Sequence, residues 1–243
     1  MLIEKNRYKE TLANLWNTVF GDDYEYISLI FSEAYTDSII CFAELDGEKA
    51  VSAFYLIESY INFDNKHYKG YYLYAAATLP EHRKKGFMSK LINEAVSYCK
   101  EKGYDFISLV PSNEGLYNYY AKSGFSESMY RYELTHFKKD NKFIEISPTR
   151  YYEMRNQKLR EAFHFSADTF GYAAECLNFA GYKFYENGEG EFIIRGDEDD
   201  IMEVISSDIN TLRKIRYGMI CPINDELKRD WIHSDIYMNI ALD

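Results

Sequence analysis

The chain is short of the residues that staple or interrupt small folds. Cysteine and proline each occur 4 times in 243 residues. Cys41, Cys99, Cys176 and Cys221 lie far apart and form no C-x-x-C pair. That argues against a zinc site or a dense disulfide framework, and reads as reduced thiols in a cytoplasmic protein. No apolar run approaches the roughly 18 residues of a membrane span. Met1 to Arg7 holds no apolar core of a secretion signal. Positive charge is scarce as well: 28 Lys and Arg stand against 39 Asp and Glu, a net charge of −11. Nucleic acid is therefore a poor partner, because phosphate binding needs a basic surface. A cationic substrate such as an amine would be steered well by this surface. Net acidity that serves only solubility is an equal reading. Neither a G-x-x-x-x-G-K-[ST] loop nor a G-x-G-x-x-G fingerprint occurs. Nucleotide hydrolysis and dinucleotide redox chemistry are thus poor readings.

What the chain has is a core. Hydrophobic residues make up 47% and charged ones 28%, as in soluble globular proteins. The length fits one large domain or two small ones. Leu12, Leu15, Trp16 and Val19 recur at helical spacing, and Gly21 caps that helix. Asp22-Asp23 then start a helix expected to reach Ala34. Ile39–Glu44 and Ala50–Ile57 flank Asp46-Gly47 as a hairpin. Ser59–Asn62 and Tyr68–Ala77 form a further strand pair around Asp64-Asn65. An amphipathic helix is expected over Phe87–Lys102, a strand over Phe106–Val110, a helix over Asn113–Lys122 and a long strand over Phe125–Phe137. Alternating helices and strands predict a mixed α/β sheet. Lys138–Asn141 is the best domain seam. Beyond it, Ser147-Pro148 opens a helix expected to reach Phe163, and a second helix spans Ala167–Phe179. Tyr182–Tyr185 and Phe192–Arg195 make a hairpin. Strands at Ile201–Ile205, Met219–Pro222 and Ile236–Leu242, with a helix at Ile209–Ile215, complete a smaller α/β lobe.

One turn reverses the local sign of charge. Between a strand and the long helix lies Thr78-Leu79-Pro80-Glu81-His82-Arg83-Lys84-Lys85-Gly86-Phe87-Met88-Ser89. A helix start offers unpaired N–H groups and a positive dipole end. Gly86 lets the backbone approach a phosphate, and Arg83, Lys84 and Lys85 add three charges. A second segment, Asn113-Glu114-Gly115-Leu116-Tyr117-Asn118-Tyr119-Tyr120-Ala121-Lys122-Ser123-Gly124-Phe125, follows one strand later.

Together the two segments resemble the GNAT acetyltransferases. Arg83-x-x-Gly86-x-Met88 matches the family's pyrophosphate signature [RQ]-x-x-G-x-[GA] except at Met88, where a larger side chain can point into the core. Asn113, Tyr120, Gly124 and Phe125 match its N-x-x-x-x-x-x-Y-x-x-x-G-F pattern. The resemblance implies the GNAT acyl-CoA N-acyltransferase fold over residues 1–138. It leaves 139–243 as the smaller C-terminal α/β lobe, with a degenerate GNAT-like unit one reading of it. It implies acetyl-CoA as co-substrate, no metal, and a small-molecule amine or peptide as acceptor. The cofactor-binding positions it implies are Ala76, Ala77, Thr78, Arg83, Lys84, Lys85, Gly86, Phe87, Met88, Ser89 and Asn113. Pantetheine would lie between Tyr72–Thr78 and Phe106–Val110. Ala75, Ala76 and Ala77 either make room for it or pack tightly under a helix.

Tyr120 is the implied catalytic acid. Tyrosine is protonated at neutral pH and can give its proton to a departing thiolate. Tyr117 and Tyr119 are rivals whose other role is packing. Asn113 can cap its helix, meet the pantetheine arm, or do both. The general base is open among Glu44, Glu58 and a water chain. Cys99 sits on an apolar helix stripe and reads as packing. The second lobe resembles two-lobed bacterial acetyltransferases of the enhanced-intracellular-survival type, in which the terminal carboxylate enters the active site. Either that tail closes the acceptor pocket, or the lobe extends the sheet or forms a homodimer face. The main rival reading is a non-catalytic acyl-CoA sensor. An aminoacyl-tRNA-dependent transferase is disfavoured by the basic turn and the net negative charge.

Overall fold

The computed structural model describes residues 1–134, 142–196, 200–206, 212–224, 227, 236–238, 240 and 242. In chain order the strands and helices are β1 (Leu2–Ile3), α1 (Lys9–Phe20), α2 (Tyr24–Ser28), β2 (Ile39–Asp46), β3 (Lys49–Phe63), β4 (Lys66–Thr78), α3 (Phe87–Lys102) and β5 (Phe106–Leu109). Next come α4 (Glu114–Ala121), β6 (Ser126–Leu134), β7 (Ile144–Ile146), α5 (Pro148–Lys158), β8 (Ala162–Phe165) and α6 (Ala167–Phe179). Then follow β9 (Lys183–Glu186), β10 (Phe192–Arg195), β11 (Ile201–Ile205), β12 (Leu212–Pro222) and β13 (Ile236–Tyr237).

Among the described residues, nine strands form one mixed sheet in the order β1-β2-β3-β4-β5-β12-β6-β13-β8, and β8 returns to pair with β3. The expected mixed α/β fold is present. β3 and β4 are buried on both faces, which is why they read as near-continuous apolar runs. Tyr55, Ile57, Tyr72 and Tyr74 face the side that packs α1 and α6, while Phe54, Leu56, Tyr71 and Leu73 face α3 and α4. A smaller sheet, β11-β10-β9-β7, carries the hairpin expected from Tyr182–Tyr185 and Phe192–Arg195.

Several sequence expectations change. The helix from Pro148 stops at Lys158, and Ala162–Phe165 is a strand against Ser59–Asn62. All four of its residues are buried, so sheet pairing outweighs helical spacing there. The helix expected over Ile209–Ile215 does not form in its described part. Leu212–Ile215 begins β12, held by Arg213 to Glu133 and by Arg216 to Glu127 across the strand pair. β12 sits between β5 and β6, so a strand near the chain's end completes the sheet beside the cleft. The helix after Asp22-Asp23 breaks at Ser28 into two 3-10 turns, Leu29–Phe31 and Glu33–Tyr35. Ser59–Asn62 is not a separate strand but the far half of β3. The last strand is shorter than expected, Ile236–Tyr237. The seam at Lys138–Asn141 and the terminal Asp243 lie outside the described residues.

Candidate active site

The site begins where β4 and β5 part. Their parallel pairing covers only Gly70–Tyr72 against Phe106–Ser108. At Gly70 a Cβ would stand 2.5 Å from the Phe106 carbonyl oxygen, so close approach there requires glycine. Two residues later the pairing ends. β4 then bulges, because Ala75 and Ala76 together face Phe54 between the pairs Tyr74–Tyr55 and Ala77–Ala53. Ala75 is forced to φ 51°, and such bulges re-aim backbone beside sites. The β4 edge that faces away from β3 is left open to a cleft.

That cleft, of about 780 Å³, collects most of the residues singled out in the sequence. Ala76, Thr78, Arg83, Lys84, Gly86, Phe87, Met88, Ser89, Asn113 and Tyr120 line it. Ala77 does not. It is buried in the core on the other side, so the alanine run divides between room and packing. Lys85 is exposed and outside the lining. Gly86, at φ 83°, starts α3, and among the described residues no side chain caps that start. Its first-turn N–H groups therefore lack intrahelical partners and suit an anion. Arg83 bends back, its Nε donating to the Thr78 carbonyl at 3.1 Å. Met88 packs against the core beneath α3. His82 also lines the cleft, with its Nδ1 buried and unpartnered among the described residues. Asn113 precedes α4 in extended conformation, but its side chain makes no capping bond. It lines the cleft.

Three tyrosines on α4 separate clearly. The Tyr117 hydroxyl donates to the Tyr217 carbonyl at 3.0 Å. The Tyr119 hydroxyl shares a hydrogen bond of 3.0 Å with Ser89 Oγ. Tyr120 makes no side-chain hydrogen bond to the described residues, and its ring is fixed edge-on by Phe125 at 5.7 Å and by Tyr119 at 5.3 Å. Burial, and then the neighbouring Tyr119, push its hydroxyl up to about 12. It stays protonated throughout the physiological range.

Beyond Tyr120 the cleft continues into a narrower chamber of about 240 Å³. Phe20, Ala76, Ser112, Leu116 and Tyr120 line both spaces. Trp16, Asp22, Tyr72, Tyr74 and Leu242 line the chamber alone. In the sequence Asp22 is legible only as a helix start. Its Oδ2 accepts the Trp16 indole N–H at 2.7 Å. The two suggested bases are elsewhere. Glu44 is paired with Lys90 at 2.9 Å, and neither it nor Glu58 lines the cleft or the chamber. Cys99 is buried, its thiol raised to about 12 chiefly by that burial, which suits packing rather than attack. Leu242 lines the chamber, but the terminal carboxylate lies outside the described residues.

The family model described as the acetyltransferase (GNAT) domain matches residues 4–128. Several solved structures share the fold at low identity. A probable N-acyltransferase from Enterococcus faecalis V583 aligns with a TM-score of 0.65 at 14% identity, over 90% of this chain and 71% of its own. A GCN5-related N-acetyltransferase from Kribbella flavida gives 0.65 at 12%, over 90% and 70%. Eis1 from Mycobacterium abscessus gives 0.65 at 7%, over 92% and 73%. No curated protein matches the chain.

Proposed function

Since the chain belongs to the GNAT acetyltransferase family, we propose that it is an acetyl-CoA-dependent N-acetyltransferase that acts on a primary amine by direct transfer. The observation that carries this reading is Tyr120. It stands where the donor cleft meets the chamber, without a hydrogen-bond partner among the described residues and with its proton held. Acetyl-CoA, as co-substrate, supplies the acyl group as a thioester. The first turn of α3 and the side chains of Arg83 and Lys84 would hold its phosphates, and the open edge of β4 would pair with its amides.

In the transfer, the acceptor nitrogen bonds to the thioester carbon and the C–S bond breaks. Tyr120 gives its proton to the departing sulfur, and the proton lost by nitrogen restores the phenol. A phenol near 12 is a weak acid. Burial disfavours a free thiolate as it disfavours a phenolate, which favours moving the proton to the sulfur as it departs. A free backbone N–H of β4 would polarise the carbonyl.

The test is thiol release from acetyl-CoA over a broad panel of amines. Acetylated product with at least one amine is expected. Binding of acetyl-CoA with no thiol release from any amine would leave a sensor instead.

A further inference from the structure

We propose that the acceptor is a small primary monoamine on an apolar or aromatic body, drawn in as an ammonium by Asp22 and losing one proton to solvent water before its neutral nitrogen attacks. This rests on the acyl-transfer reading above, because the chamber is taken as the place where acceptor and acyl group meet. The chamber adjoins the donor cleft through Tyr120, so a molecule in it lies beside the proton donor. Its walls are aromatic. Trp16 lies 6.2 Å from Phe20 and 5.4 Å from Tyr74, and Tyr72 lies 6.2 Å from Tyr74, between ring centres.

Among the described lining residues, Asp22 alone carries a charge. Its carboxylate is held from one side by the Trp16 indole at 2.7 Å, and its carbonyl by the Asn17 amide at 2.9 Å. A carboxylate offers about four acceptor positions, so positions remain for an ammonium. Aromatic faces beside it favour a cation further.

Size and charge select within the amines. The volume of about 240 Å³ is below the roughly 300–1,000 Å³ of drug-sized pockets. A polyamine or aminoglycoside would bring several ammonium groups to one carboxylate and bury the rest unpaired, which is costly. An amino acid would bring a carboxylate that finds no cation among the described lining residues.

The experiment compares 2-phenylethylamine and isopentylamine with spermidine, kanamycin and phenylalanine at saturating acetyl-CoA. The monoamines are expected to give the highest kcat/KM. Asp22→Asn, which keeps an acceptor for the indole, should raise the monoamine KM about ten- to a hundredfold with kcat little changed. Acetyl-CoA binding measured by thermal shift confirms that the variant folds. A preference for spermidine, kanamycin or phenylalanine overturns this inference while leaving amine acetylation intact. An unchanged KM in Asp22→Asn overturns it too. Should the variant not fold, the ranking of amines by the unmodified protein decides. Failure with every amine overturns both readings.

Discussion

Two groups of charged residues in this chain are treated in opposite ways. At the mouth of the cleft, Arg83, Lys84 and Lys85 are exposed beside a helix start that no side chain among the described residues caps. Later in the chain, Arg155 is 3% exposed and Glu203 is 0% exposed, and the pair is closed on itself. Arg155 Nε lies 3.0 Å from Glu203 Oε2, and the hydroxyls of Tyr151 and Tyr237 donate to the same carboxylate at 2.8 and 3.0 Å. Arg155 also donates to the Phe163 carbonyl and to His164 Nδ1. The first group leaves most of its donors open to solvent, and the second spends its own on joining α5, β8, β11 and β13. Buried charge survives only when paired in this way. Charge alone therefore does not mark the site. Unused capacity beside a cleft does.

The comparison is broken most sharply at Tyr120. Tyr120→Phe should lower kcat about 10²- to 10⁴-fold with stability little changed. Tyr117→Phe and Tyr119→Phe, measured beside it, should keep most activity because their hydroxyls serve packing bonds. Next in size is Glu203→Gln. It leaves Arg155 charged and uncompensated, and should cost about 3–5 kcal/mol in denaturant unfolding while the acetyl-CoA affinity of the folded protein holds.

Acid should act on the same knot. A guanidinium only donates, so His164 Nδ1 accepts and the proton sits on the buried Nε2. Burial, and then the Arg155 charge, hold this imidazole neutral, well below its ordinary 6.5. The unfolded chain takes up a proton there as pH falls below 6.5, and the folded chain does not. Stability should drop with acid below that point, by up to about 1.4 kcal/mol per pH unit from this group. His164→Gln, which retains an acceptor for Arg155, should flatten that slope. The smallest effect is expected at Arg83→Ala. It should weaken acetyl-CoA binding by about tenfold or less, with the loss shrinking at high salt and stability unmoved.

How far the sequence can be read follows the same division. The donor cleft is local. Positions 76–89 and 113–120 lie on consecutive strand–helix units, so their spacing along the chain already marks them. Ala77, which faces the core, is misplaced by that spacing because periodicity does not say where a bulge shifts the register, and the bulge is at Ala75. Lys85, in the loop beyond β4, is exposed outside the lining. The chamber is not legible in this way. Asp22 reaches it only because a loop after Gly21 turns back on Trp16, and Tyr74 and Leu242 arrive from far along the chain. β8 and the start of β12 read as helix for a related reason. Their conformation is imposed by partners in the sheet, Ser59–Asn62 for one and Leu134–Tyr130 for the other.

The central claim is that Tyr120 supplies the proton for acyl transfer from a cleft that binds the donor independently of it. The direct measurement is single-turnover thiol release from prebound acetyl-CoA, with Tyr120→Phe compared with the unmodified protein and donor affinity determined for both. The account predicts equal affinity and thiol release slowed at least about 10²-fold. Release at the unmodified rate, or a loss carried entirely by weaker donor binding, would contradict it.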